Sequence, residues 1–159
     1  MLAMKLTLHI PEKVQALMER DKLLAEPVTR ALKAGGLIVE RRAKEKAAVD
    51  TGRLRASIAS EMSSATSVSI GSVTKYAPYV EFGTRPHFPP LAALQPWARR
   101  HGFPAGRPGA YLVARAIAAR GTRPQPFLVP ALKESAGEID RDLRQAADEI
   151  ERRWEQSRG

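Results

Sequence analysis

The sequence has no cysteine and only three histidines, His9, His87 and His101. Without cysteine there can be no disulfide, no thiol nucleophile and no thiolate zinc site. The histidines lie far apart, with no spacing such as H-x-x-x-H, so neither a metal site nor a cofactor is expected. Aromatics make up 6% of the 159 residues and hydrophobic residues 43%, so the core must come mostly from Leu, Val, Ile and Ala. No stretch approaches the roughly 20 apolar residues of a membrane span. The opening MLAMKLTLHI lacks the apolar run and cleavage site of a signal peptide. These absences lead us to expect a single soluble domain over residues 1–159, made in a reducing cytoplasm.

Acid is also scarce in one place. The net charge is +9, divided as +5 over residues 1–80, +6 over 81–125 and −2 over 126–159. Between 81 and 125 the sole acid is Glu81, and all seven cations are arginine. Such a balance suits a polyanionic partner. The guanidinium fork can hold both oxygens of a phosphate or carboxylate. A plain solvated surface would carry the same charge.

What is present has a clear order. Lys5–Ile10 alternates as a strand, with Leu6, Leu8 and Ile10 on one side. Pro11 ends it. From Glu12 to about Ala48, apolar residues at three- and four-residue steps (Val14, Leu17, Met18, Leu24, Val28, Leu32) predict a long helix. Pro27, which removes a helical N–H, is a point where the run can kink or break, and Gly35-Gly36 is a second weak point. Leu54–Met62 and Val68–Val73 read as two strands of a hairpin. Tyr76–Phe82 fits a third strand or a short helix, with Pro78 against a central strand. Short helices are expected over Leu91–His101 and Ala110–Arg120, in a segment rich in Pro, Gly and Arg. That segment, about 85–125, reads as an insertion. Gly83–Phe88 (GTRPHF) and Gly121–Phe127 (GTRPQPF) echo each other at its two ends, which suggests that the ends meet. A terminal helix over about Ala131–Gln156 would show Leu132, Ile139, Leu143, Ala146 and Ile150 as its apolar stripe. The expected fold is α+β: an antiparallel sheet packed against a long N-terminal helix and a C-terminal helix.

Val49–Gly52 spells VDTG, and Asp-Thr-Gly carries the catalytic carboxylate of aspartic proteases. Such an enzyme needs two carboxylates sharing a proton. With one DTG, only a homodimer could supply them. The preceding ERRAKEKAAV reads as helix, and Arg53 and Arg55 should hold Asp50 ionised and paired. VDTG is therefore expected to be a turn. Glu81 is either a buried carboxylate paired with Arg85, the reading we favour, or an ordinary exposed strand residue. No nucleophile elbow or phosphate-binding glycine loop is present, so an enzyme is not expected.

Three segments in order, VDTGRLRASI (Val49–Ile58), YAPYVEFGT (Tyr76–Thr84) and PFLVPAL (Pro126–Leu132), give the chain its strongest signal. Together with a strand ending in Ile70-Gly71-Ser72, they resemble the tail-completion or head–tail joining family of long-tailed bacteriophages, also described as neck or minor tail proteins. The pattern is V-D-T-G-x-L-x-x-S-I, then Y-A-x-x-x-E-x-G-T, then P-F-L-x-P-A, and it spans about residues 30–150. The resemblance implies a non-enzymatic virion protein that completes the tail and joins it to the head as a subunit of a ring. Its implied partners are other copies of itself and neighbouring head–tail connector, tail-terminator or tail-tube proteins. DNA would pass nearby, and no membrane is involved. The place implied is the virion neck or tail, after synthesis in the bacterial host cytoplasm.

Roles follow for the motif residues. Asp50 and Thr51 would cap the turn out of the long helix, and Gly52 would allow the chain to reverse. Leu54 and Ser57 belong to the same motif. Tyr76, Tyr79 and Phe82 would supply core or subunit contacts, beside Glu81. Gly83 and Thr84 would turn the chain off the sheet edge. Pro126, Phe127, Leu128 and Pro130 would anchor the last helix. Gly52, Gly83, Phe127 and Leu128 are expected to serve the monomer's fold. Arg85, Arg99, Arg100, Arg107 and Arg123 are the candidates for contact with a partner or the DNA path. A basic nucleic-acid-binding protein is the rival reading, although no recognition-helix motif supports it.

Overall fold

A computed structural model describes residues 3–10, Glu12, Gln15, Met18 and 22–157. The fold is α+β, with a three-stranded antiparallel sheet and two long helices. Strand β1 (Met4–His9) and β2 (Ile58–Ser64) flank the central β3 (Ser67–Ser72). Leu6 stands opposite Ile70 and Leu8 opposite Val68, while Met62 faces Val68 from the other side. The alternation read from the sequence thus collects Met4, Leu6, Leu8, Val68, Ile70, Ile58 and Met62 in one core.

Helix α1 (Lys22–Lys46) covers that face. Val14 and Leu17 lie outside the described residues, as does the side chain of Leu24. Pro27 does not end the helix but lies inside it, fully buried. Gly35 and Gly36 are not weak points either. A Cβ on Gly36 would stand 2.7 Å from Val68 Cγ2, and one on Gly35 would stand 3.2 Å from Ile139 Cγ1. The pair lets one helix approach two neighbours, the sheet and α6 (Leu128–Ser157), at close range. The two helices run antiparallel, tied by Lys46–Glu134 at 2.7 Å, Arg42–Glu138 at 2.7 Å, Arg30–Glu149 at 2.7 Å and Arg153–Glu26 at 3.1 Å. Ile139 and Ala146 of the predicted stripe are buried, and Leu132, Leu143 and Ile150 pack against the core.

The predicted strand over Leu54–Met62 is corrected at its start. Arg53–Ser57 forms a helical turn, α2, and the strand begins at Ile58. Gly52, at φ 77°, reverses the chain, and the Ala56 N–H closes on the Gly52 carbonyl at 2.9 Å. The Ser57 hydroxyl bonds the Leu54 carbonyl and the Ser72 hydroxyl, both at 2.7 Å. Tyr76–Phe82 resolves as a short helix, α3 (Ala77–Phe82), with Pro78 in its first turn.

Helices α4 (Leu91–Arg100) and α5 (Arg107–Arg120) pack on each other, around buried Ala98, Ala110, Val113 and Ala114. They form an arm over residues 85–121. Its ends do meet. Thr84 and Thr122 exchange two backbone hydrogen bonds at 3.2 Å, and their hydroxyls lie 3.1 Å apart. Gly83 and Gly121, each at φ 70°, end α3 and α5 beside this clasp. A Cβ on Gly121 would sit 1.9 Å from the Thr84 carbonyl oxygen, so glycine is required there for space and for angle.

Candidate functional site

The three motifs meet around the start of α6. Leu54, Ile58, Ala77, Phe127 and Leu128 share one buried cluster. Glu81 joins the second motif to the third. It is buried, and its carboxylate accepts the backbone N–H groups of Phe127 at 2.7 Å and of Leu128 and Val129 at 2.9 Å. The first turn of α6 contains no acid of its own. Glu81, some 46 residues earlier, supplies the negative cap that its free N–H groups and dipole favour. The carboxylate is buried as expected, but the pairing with Arg85 is wrong: the N–H groups at the helix end take both carboxylate oxygens, and Arg85 is exposed.

Helix geometry sorts the rest of α3. Ala77 and Glu81, four residues apart, face inward and are buried. Tyr76, Tyr79 and Phe82, three residues apart, are turned out, at 41%, 61% and 66% exposure. They form no part of the monomer core. Gly83 and Thr84 leave α3 for the clasp with Thr122, not a sheet edge. Phe127 and Leu128 are buried, Pro126 is exposed, and Pro130 occupies the first turn of α6, where its missing N–H is no loss.

Asp50 also finds a different partner. Arg100 of α4 holds it in a two-pronged ion pair: the Arg100 Nε–H donates to Oδ1 at 2.8 Å, and Nη2 donates to Oδ2. The hydrogen bond from Arg100 holds the Asp50 carboxyl below the usual carboxylate range. Neither Arg53 nor Arg55 takes that place, because α2 turns both outward. Both Asp50 carboxylate oxygens go to Arg100, in place of the turn that follows α1 at Lys46. Thr51 is exposed. An aspartate locked ionised by arginine is the reverse of a proton-sharing protease carboxylate.

Arg100 thus leaves the set of free arginines. Arg85, Arg99, Arg107 and Arg123 remain in it, joined by Arg115 and Arg120. All six are exposed, and among the described residues none makes a side-chain hydrogen bond or ion pair. Aromatics lie among them. Trp97 stacks on His101 at 4.0 Å, Phe88 meets Tyr111 at 6.1 Å, and Tyr111 is half exposed. One polar tie was not foreseen from the sequence. Glu40 of α1 accepts both the N–H and the hydroxyl of Ser60 at 2.7 Å, pinning β2 to the helix. Burial alone would raise its carboxyl, but the bonds from Lys44 and Ser60 outweigh burial and lower it. Among the described residues no three His, Asp or Glu side chains gather as a metal site, and no helix is long and apolar enough to cross a membrane.

Fold and site define a class of protein: an α+β chain whose motif residues lock the body together, while an aromatic row and an arginine-bearing arm stay uncovered. Residues 11–83 match the family described as "Bacteriophage HK97-gp10, putative tail-component". The match takes in the first motif and the second as far as Gly83, a little under half of the chain, and it bears out the resemblance read from the sequence. No curated protein and no solved structure matches the chain.

Proposed function

We propose that this chain is a structural subunit of a phage or prophage head–tail connector, completing the tail and joining it to the head as one member of a ring. The match over residues 11–83 to a phage tail component carries this reading. The outward row Tyr76, Tyr79 and Phe82 supports it, because an aromatic row left bare on a monomer suits a surface covered on assembly. Neighbouring connector, tail-terminator or tail-tube proteins would be the other partners, in the virion neck. No catalytic role is proposed, since the one aspartate in a protease-like tripeptide is tied to Arg100.

Disrupting the gene in its phage and viewing the lysate by electron microscopy tests the proposal. Filled heads and finished tails lying unjoined are the expected result. Intact virions in normal number would overturn it. The six unpartnered arginines favour a second reading, non-specific binding to the DNA backbone. A steep loss of DNA affinity with salt, in a phage whose virions assemble without the chain, would select that one.

A further inference from the structure

We propose that the arginine–aromatic face of α5 docks on the acidic tail of α6 in a second copy of this chain, head to tail. The inference rests on the ring reading above and names the surfaces that would close it. On α5, Arg107, Tyr111 and Arg115 follow at four-residue steps, so they share one exposed face. On α6, Asp148, Glu151 and Glu155 stand at steps of three and four, exposed, and among the described residues they make no ion pair; Arg152 is exposed on the same face and leaves it net negative by two. At 1.5 Å per residue the two stripes run about 12 Å and about 11 Å, so their charges can register along paired helices.

Among the described residues the two stripes make no ion pair with each other within one chain, and the arm's far end is anchored instead at Asp50 through Arg100. The arm leaves the body at the clasp of Thr84 with Thr122, beside the first turn of α6. The acidic stripe begins 20 residues further along that helix, about 30 Å away. Opposite charges at opposite ends of one subunit suit a repeating, heterologous contact. Composition argues for protein rather than nucleic acid on the arm. Residues 85–121 contain arginine and aromatics, without lysine and without acid. Arginine, Trp, Tyr and Phe are enriched at protein interfaces and lysine is depleted.

Native mass spectrometry and light scattering on three full-length variants test the pairing: R107E/R115E, E151R/E155R, and a chain carrying all four changes, with melting curves to confirm folding. The wild type is expected to form a discrete oligomer. Each half-reversed variant should associate at least tenfold more weakly, and the fully swapped chain should recover assembly. If the wild-type oligomer is untouched by reversal of either stripe, the inference falls and the ring reading stands. If both halves fail and the full swap does not recover, direct pairing of the stripes is overturned. If R107E/R115E assembles normally but no longer binds a short DNA duplex, the arm belongs to nucleic acid and the inference is overturned. A wild type that stays monomeric at every concentration overturns the self-association beneath it, whereas unjoined heads and tails in the gene disruption would still uphold a neck role.

Discussion

The body and the arm handle charge and apolar surface in opposite ways. In the body, the long helices pair their charges across the interface, from Lys46–Glu134 at one end to Arg153–Glu26 at the other. Its core is made of Leu32, Val39, Ile58, Val68, Ile70 and Phe127, all essentially inaccessible. In the arm, the buried seam is made of small residues, chiefly alanine with one valine, and five arginines have no partner among the described residues. Burying a few alanines contributes far less than burying large aliphatic side chains. The body is built to stand alone. Among the described residues the arm is tied to the body by its neck and the Asp50–Arg100 pair, and its remaining arginines stay exposed. The difference teaches that the motif residues mostly hold the body together, while the sequence between Thr84 and Thr122 leaves its arginines and several aromatics exposed, as the proposed contacts would require.

The comparison breaks most sharply at Glu81. Replacing it with alanine leaves three N–H groups at the start of α6 without their acceptor. A loss of about 3–4 kcal/mol is expected, a large part of a small domain's stability. Urea unfolding of E81A against the wild type measures it, and E81Q, which keeps one carbonyl acceptor, should fall between them. A drop below about 1 kcal/mol would mean that water replaces the cap readily. Next in size is Gly121 at the neck. Alanine there must take a positive φ and occupy space held by the Thr84 carbonyl, at about 1–3 kcal/mol of local strain. Hydrogen exchange should rise across the arm in G121A while α1 and the sheet keep their protection. Loss of protection throughout would show that arm and body unfold as one unit.

Much of this division could be read from residue order. The long helices, the hairpin and the helices of the arm follow from periodicity, and the GTRP echo foretold that the arm's ends meet. What was missed has a common cause. Leu54 and Ile58 are four residues apart, a spacing that puts both on one side in a strand and in a helix alike, so periodicity could not separate them. Gly35-Gly36 looked like a break because a glycine's packing neighbours, Ile139 and Val68, are over 30 residues away. The partners of Asp50 and Glu81 lie 46 to 50 residues distant, and nearest-neighbour reasoning assigned each an adjacent arginine instead. Residue types announced that these carboxylates would be satisfied. Only the fold could say by what.

A smaller effect is expected at the Asp50–Arg100 latch. Both side chains are partly exposed, so D50N should barely move global stability. Its effect should be local, as faster exchange in α4. The sign of its pH dependence follows from the shift. Arg100 holds the folded-state carboxyl below its unfolded value, so the latch is at full strength above the ordinary carboxylate range and is lost as pH falls through the folded value. By NMR, the Arg100 Nε–H signal should stand apart from the free arginines at neutral pH and join them in acid. In D50N it should lie with them throughout. A signal already merged at neutral pH in the wild type would show the arm to be unlatched.

The smallest change in stability should come from Tyr79 and Phe82, and this tests the whole division most cleanly. Both are more than half exposed, and neither belongs to the body's core. Replacing both with serine should leave the melting temperature near that of the wild type, within about 0.5 kcal/mol at the unfolding midpoint. Their neighbour on the same short helix, Glu81, should behave in the opposite way, since it faces inward. If the outward row serves assembly, Y79S/F82S folds normally and fails to complete tails in a phage carrying it, while E81A fails because it unfolds. If Y79S/F82S instead melts several degrees lower, the row contributes to the fold, and the second motif contains no surface set aside for partners.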